Sequence, residues 1–253
     1  YGVRMLRKSP GFTAIALITL AIGIWSNTIM FGLVNGLLLR PANVKDPDRL
    51  VGCRSYGFLH IPYSAYVYLR DDNPIFSEII AHDWRSLSVT LQYRNDTIRA
   101  SAMVVSANYF TALGVMTARG RGFWPEEERV GAEPVVVLSH CTWQRRGGDP
   151  NIVGKQVSIN GILFQVIGVA PERFTGTALI GPDLWVPLGV YGLVTSQQAT
   201  NDDWDYPRLL MVGRLKPDLS MSVAETYLPA LTSRFRERFP DRQDIHCRLY
   251  LHR

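Results

Sequence analysis

Charge is what this sequence is short of. Asp, Glu, Lys and Arg make up 19% of its 253 residues, below the quarter usual for soluble domains. None of them, and no His, occurs in the 31 residues between Lys8 and Arg40. Cysteine is scarce too. Cys53, Cys141 and Cys247 are odd in number, far apart and without a C-x-x-C pair, which excludes a zinc site and a full disulfide framework and leaves room for one bridge. No G-x-S-x-G elbow and no H-E-x-x-H zinc helix is present, and His60, His82, His140, His246 and His252 are scattered without ligand spacing, so they read as structural or solvated. "GGDPNIVGKQ" imitates a phosphate loop, but five residues separate Gly148 from Gly154 where the motif has four, and Gln156 stands where Ser or Thr would reach magnesium. ATP binding by this chain is therefore rejected, and no cofactor or metal is expected.

The net charge of +5 is also less than it suggests. Arg4, Arg7, Lys8 and Arg40 supply four of the surplus cations, and from residue 41 onward 23 Lys and Arg stand against 22 Asp and Glu. The cations are dispersed among acids, whereas a nucleic-acid partner calls for a basic face. No nucleic-acid partner is expected.

What is present is one long apolar run. As a helix, the 31 uncharged residues would measure about 46 Å at 1.5 Å per residue, against a hydrocarbon layer of about 30 Å. Apolar side chains fall on every side of residues 12–31, where a soluble amphipathic helix would leave a polar stripe. The nine Leu, Ile and Phe residues there favour insertion by roughly 3–5 kcal/mol. A signal peptide has an apolar core of about 7–15 residues and a small-residue cleavage site; this run is longer and ends in "LLLRP". The sequence thus predicts a cytoplasmic segment over residues 1–9 and a transmembrane helix over 10–40, with Ser9-Pro10 as its start and Pro41 limiting its end. The Arg4, Arg7 and Lys8 cluster places the N-terminus in the cytoplasm and residues 41–253 outside. Thr28, Gly32 and Gly36 recur at intervals of four, with Asn27 and Asn35 beside them, a strip suited to packing on another helix.

After a Pro-rich connector, "RPANVKDPDRL", no second run is long enough to cross a bilayer. Alternation over residues 87–92 followed by "YRND" and "TIRASAMVVS" predicts one hairpin. "KQVSINGILFQVIGVA" predicts another, with Asn160-Gly161 supplying the two positive φ angles of a type I′ turn. Further strands are expected at 135–138, 184–186, 209–215 and 245–251, and helices at 63–71, 107–113, 139–146 and 222–239. The last would open on Ser222 with Glu225 as a capping box and carry Pro229 inside it. Hairpins mixed with helices give an α+β body.

Several residues invite a functional reading. "PEEE" at 125–128 reads as a helix start with acids at the positive end of the dipole, and "NDDWD" at 201–205 as a loop with carboxylates that can hold a cation. Trp143, Trp185 and Trp204 read as core or core-edge residues. Ser139-His140 is the one adjacent pair a hydrolase could use, and a hydrolase would need a pocket where nucleophile and base converge.

Taken together, "RMLRKSPGFTAIALITLAIGIWSNTIMFGLVNGLLLRP", "VSANYFTALGV", "RGRGFW", "VVVLSHCTWQRRGGDPNIVGKQVSINGILFQVIGVAPERFTG", "PDLWVPL" and "GRLKPDLSMSVAE" resemble the N-terminal half-unit of bacterial ABC transporter permeases of the MacB/FtsX-like class. The resemblance implies a first transmembrane helix followed by a MacB-like periplasmic core domain of two subdomains. A porter-like part made of early and late segments would carry an inserted part, expected roughly between residues 121 and 198. It also implies a non-catalytic permease subunit in the bacterial inner membrane. Its partners would be membrane lipid, a cytoplasmic ABC ATPase that binds the ATP, a sister permease unit or second copy, and a periplasmic partner. Because such permeases carry three further helices after the domain, the chain is expected to be an N-terminal piece of one. The alternative is a single-span anchored binding or scaffold protein working without an ATPase.

Overall fold

The computed structural model describes residues 10–38, 44–55, 63–94, 96–178, 180–195, 209–239 and 247–251. Residues 1–9, the loop 201–205 with Trp204, and His60, His246 and His252 lie outside them. The chain divides into two compact units, Tyr1–Pro41 and Ala42–Arg253.

The first unit contains helix α1, Pro10–Leu38, 29 residues with no acid in its first turn and no base in its last. The described side chains run without a break only from Leu17 to Thr28, all exposed, and within the described residues no helix is long and apolar enough to cross a membrane. The backbone helix as a whole spans 29 residues, about 44 Å.

The second unit is α+β. Its elements are β1 (Leu50–Ser55), α2 (Tyr63–Asp71), β2 (Phe76–Asp83), β3 (Leu87–Tyr93), β4 (Asp96–Val105), α3 (Tyr109–Ala112), β5 (Arg119–Gly120), β6 (Val135–Leu138), α4 (His140–Arg145), β7 (Gln156–Ile159), β8 (Ile162–Val169), β9 (Leu184–Pro187), α5 (Tyr191–Thr195), β10 (Leu209–Leu215), α6 (Met221–Arg238) and β11 (Cys247–Leu251). Both predicted hairpins form. Asn160 and Gly161 take φ of 51° and 85°, as a type I′ turn requires.

The strands make two arrangements. β11, β1, β10 and β2 lie side by side in that order, all antiparallel, with α2 linking β1 to β2 and α6 linking β10 to β11. This is a split β-α-β pattern assembled from the two ends of the unit. Between β2 and β10 the chain makes a closed ring in which β4 pairs β3, β3 pairs β7, β7 pairs β8, β8 pairs β6, β6 pairs β9 and β9 returns to β4. The ring is a six-stranded barrel whose strands run from Leu87 to Pro187, with the β3–β4 hairpin supplying two of its staves.

Side-chain alternation fills the barrel. Val89, Leu91, Ala102, Val136, Leu138, Val157, Ile159, Phe164, Val166, Leu184 and Val186 are all buried in one cluster. The alternate residues Met103, Val105, Val137, Ile167 and Trp185 form a second cluster with Phe110, Phe123 and Phe174. All four residues of β6 and of β9 are consequently buried, which is why "VVVL" and "LWVP" are continuous apolar runs instead of alternating ones.

Three local expectations change. The 107–113 helix shrinks to one turn, Tyr109–Ala112. Helix α6 starts one residue early: the N-cap is Ser220, whose hydroxyl accepts from Val223 N, so Ser222 and Glu225 are not the cap, and the helix continues through Pro229. "PEEE" is a single 3-10 turn, Pro125–Glu128, whose Glu127 and Glu128 are buried. These two acids face inward because each has fixed donors to meet, as described next.

Candidate functional site

β2 and β4 share one register pair, His82 with Val105. Past it, side chains take over from the ladder. Ser106 N donates to Ala81 O at 2.8 Å and Ala81 N donates to Ser106 Oγ at 3.1 Å. Ser106 Oγ donates to Asn108 Oδ1 at 2.8 Å, and Asn108 Nδ2 to Ile79 O at 2.9 Å. The "VSANYF" stretch thus stitches the barrel's β4 to the sheet's β2. Its Tyr109 oxygen accepts from Thr177 N at 2.8 Å, and its Phe110 ring sits 5.6 Å from those of Phe174 and Trp185.

Glu128 completes this joint. Its Oε2 accepts from Ala107 N at 2.6 Å. Its Oε1 accepts from Tyr63 OH at 3.2 Å and faces Arg70 Nη1 at 3.4 Å. Tyr63 and Arg70 belong to α2, so an acid of the segment between β5 and β6 grips a helix of the sheet. A buried carboxylate is tolerable only when its oxygens are paired in this way. Burial, and then the Glu128 charge, hold the Tyr63 phenol well above its ordinary range, and burial pushes Tyr66 up to about 12, so both remain neutral. Glu127 turns the other way. It accepts from Trp124 N at 2.8 Å and pairs both oxygens with Arg121 at 2.7 and 3.0 Å, a bidentate geometry, while the Arg121 guanidinium stacks on the Trp124 ring.

The lookalike motifs resolve into structure. In the "GGDPNIVGKQ" loop, Lys155 Nζ is held by Asp149 Oδ2 at 2.6 Å. Backbone N–H groups a phosphate would need are already given away: Gly148 to Trp143 O, Asn151 to Asp149 Oδ1, Gly154 to Val166 O and Lys155 to Ile152 O. Ser139 is the N-cap of α4, its oxygen accepting from Thr142 N at 3.1 Å and donating to Thr142 Oγ1 at 3.0 Å. His140 stacks edge-on against Trp143. Trp143 and Trp185 are buried, and Cys141 is free and exposed. Among the described residues no group of His, Cys, Asp and Glu is placed to hold a metal.

On α1, Asn27 and Thr28 are exposed, and Thr28 Oγ1 donates to Ile24 O at 2.8 Å. That hydroxyl is spent within its own helix, so Thr28 offers a small surface and not a donor. Gly32, Asn35 and Gly36 lie on the same helical backbone, and a spacing of four keeps Gly32 and Gly36 on the face of Thr28. Sequence reasoning missed the joint itself. The signal for it was a stripe at i, i+3 and i+7 in α2, Tyr63, Tyr66 and Arg70, too polar for an ordinary core face.

A split β-α-β sheet carrying a closed barrel, with its ionisable groups engaged in holding the two together, defines a two-part α+β domain. The family described as MacB-like periplasmic core domain matches residues 13–231, and the chain belongs to that family. Among curated relatives, the macrolide export ATP-binding/permease protein MacB of Burkholderia thailandensis is 30% identical over 105 residues, 40% of this chain and 16% of that protein. The protein of the same name from Escherichia coli K12 is 28% identical over 152 residues, 58% of this chain and 22% of that protein. The match thus covers less than a quarter of either relative's length. Two solved structures share the fold. A domain of a permease protein from Porphyromonas gingivalis has a TM-score of 0.61 at 16% identity, covering 83% of this chain and 94% of that one. The periplasmic region of MacB from Actinobacillus actinomycetemcomitans has a TM-score of 0.59 at 17% identity, covering 84% and 92%.

Proposed function

We propose that this chain is the first membrane helix and periplasmic core of a non-catalytic permease subunit of an ABC exporter. In this reading α1 spans the inner membrane with its N-terminus in the cytoplasm, and the body stands in the periplasm. A separate cytoplasmic ATPase binds ATP, and its closure moves the periplasmic body through the helices as a rigid unit. The strip of Thr28, Gly32 and Gly36, flanked by Asn27 and Asn35, meets a helix of the same permease or of a second copy. Within the body, the split β-α-β sheet is the porter-like subdomain and the barrel segment its insertion.

The observation that carries this is the span of the family match. It begins at residue 13, inside α1, and runs to residue 231, in α6, so the apolar helix and the body belong to one family unit. The relatives' names, which pair an ATP-binding part with a permease, support the coupling to an ATPase.

Topology gives the test. With Cys53 and Cys247 changed to Ser, Cys141 is the one remaining thiol. A membrane-impermeant maleimide should label it in intact cells with a permeabilised outer membrane. Labelling that appears only after the inner membrane is broken would overturn the reading. Gly32→Leu with Gly36→Leu in the full-length permease should abolish cross-linking between neighbouring membrane helices while Cys141 labelling persists.

A further inference from the structure

We propose that Glu128 is a pin that makes the sheet and the barrel move as one body, so that displacement of either is passed to the other through α2. The pin itself stands on geometry. Its use in transport rests on the function proposed above.

The joint needs such a device. Between β2 and β4 there is one register pair, whereas β3 and β4 share seven. A single ladder rung resists twisting about its own axis poorly, and the apolar clusters shared by the two parts supply packing that is not directional. Glu128 supplies a directional contact offset from that axis. It reaches from the Pro125–Glu128 turn to Tyr63 and Arg70 of α2, and to Ala107 N in the stretch that Ser106 and Asn108 tie to β2.

Both ends of the pin are fixed. On its own side, Glu127 is locked to Arg121 and Trp124 N. The neighbouring Leu188–Val190 turn also presses in so closely that a Cβ on Gly189 would lie 2.4 Å from Arg129 O and 2.6 Å from Glu127 O. On the far side, Arg70 is braced by Asp71 at 2.8 Å and lies over the buried Tyr66 ring. Among the described residues, the other ion pair from this helix region to a distant segment, Arg234 with Asp72, is solvent-exposed and so holds little.

Two measurements test the pin on the whole chain in detergent. Spin labels at Cys141, on the barrel, and at Ser233→Cys, on the exposed face of α6, in a background with Cys53 and Cys247 changed to Ser, should give a narrow distance distribution. Glu128→Ala should at least double its width, with Glu128→Gln and Tyr63→Phe in between. Amide exchange should rise at least tenfold in α2 and at Ala107 in Glu128→Ala and stay unchanged in the β7–β8 hairpin. Ile159→Ala, which opens the barrel core in β7, is the control and should leave the width alone. An unchanged width in both Glu128 variants, or equal broadening in Ile159→Ala, would overturn the proposal. Should Glu128→Ala not fold, Glu128→Gln and Tyr63→Phe decide by the same criteria. Periplasmic labelling of Cys141 is read separately, so the pin can fail while the topology stands, or the reverse.

Discussion

The barrel and the four-stranded sheet obey the same packing rules but are assembled from the chain in opposite ways. The barrel draws its strands from one continuous stretch, Leu87 to Pro187, and joins several of them by short turns. The sheet draws two strands from residues 50–83 and two from 209–251, so each of its ladders closes a long loop. Local pairing leaves marks in the sequence; pairing over a distance leaves few. The two parts nevertheless share their cores. Leu50, Ile80 and Val212 of the sheet lie in one cluster with Phe110 and Trp185, and Phe164 of the barrel lies in the other with Phe235 of α6.

That sharing sets the largest expected effect. Phe164 and Phe235 are both fully buried, and truncating either to Ala should cost about 3–5 kcal/mol. If the two parts are one cooperative unit, each variant will lower the midpoint of a single urea transition and leave its slope unchanged. Two separated transitions, one for each variant, would split the molecule at the joint and break the comparison.

The same contrast decides what is legible in the sequence. Asn160-Gly161 and the alternation in β3 announced the barrel's hairpins because turn chemistry and period are local signals. β1 and β2 went unread. β2, "FSEIIAHD", buries its last five residues in a row because its two sides meet α2 on one face and the barrel's aromatic cluster on the other, which erases the alternation. The polar joint was hidden for a related reason. Glu128 and Tyr63 are 65 positions apart, and an acid in "PEEE" looks identical in sequence whether it faces solvent, as a dipole partner would, or an amide of another segment. The spacing of Asn27, Thr28, Gly32, Asn35 and Gly36 is visible in the sequence, whereas the bond from Thr28 to its own helix is not.

Glycines offer a finer comparison of the two parts. A Cβ on Gly168, in the barrel, would fall 2.3 Å from Arg121 O, backbone whose own N–H is bound to Ile167 O. On Gly213, in the sheet, it would fall 2.3 Å from the ring of the buried Phe76, a side chain that has to repack where Gly168 would have to displace backbone. Overpacking costs about 1–3 kcal/mol. Gly168→Ala should sit at the upper end of that range and Gly213→Ala at the lower, measured by urea unfolding. Equal costs would mean that the barrel backbone yields as readily as a side chain.

Smaller still is the cap of α6. Ser220→Ala should cost about 1 kcal/mol, since it orphans the Val223 N–H. Ser222→Ala should stay within about 0.5 kcal/mol. The reverse order in thermal unfolding would restore Ser222 as the cap and shift the start of the helix.

The weakest effect is one of pH, and it concerns the barrel alone. Asp149 accepts from Lys155, from Asn151 N and from Tyr93. These partners, Lys155 foremost, lower its pKa to about 2, while the same contact raises that of Lys155. A carboxylate whose pKa is depressed by folding stabilises the fold above its unfolded value, about 3.9, and loses that contribution as pH falls toward the folded value. The wild-type protein should therefore lose thermal stability between about pH 4 and pH 2 more steeply than Asp149→Asn, which has no proton to take up there. Asp83 works in the opposite sense, because burial raises its pKa, so the ionised form is the less favoured one in the folded state and its contribution declines as pH rises above the unfolded value. Asp149→Asn should therefore flatten the acid limb below about pH 4. Asp83→Asn should leave that limb unchanged and alter the slope only above about pH 4, where the wild-type Asp83 ionises more readily unfolded than folded. If Asp149→Asn leaves the acid limb unchanged, the Lys155 contact does not persist in solution.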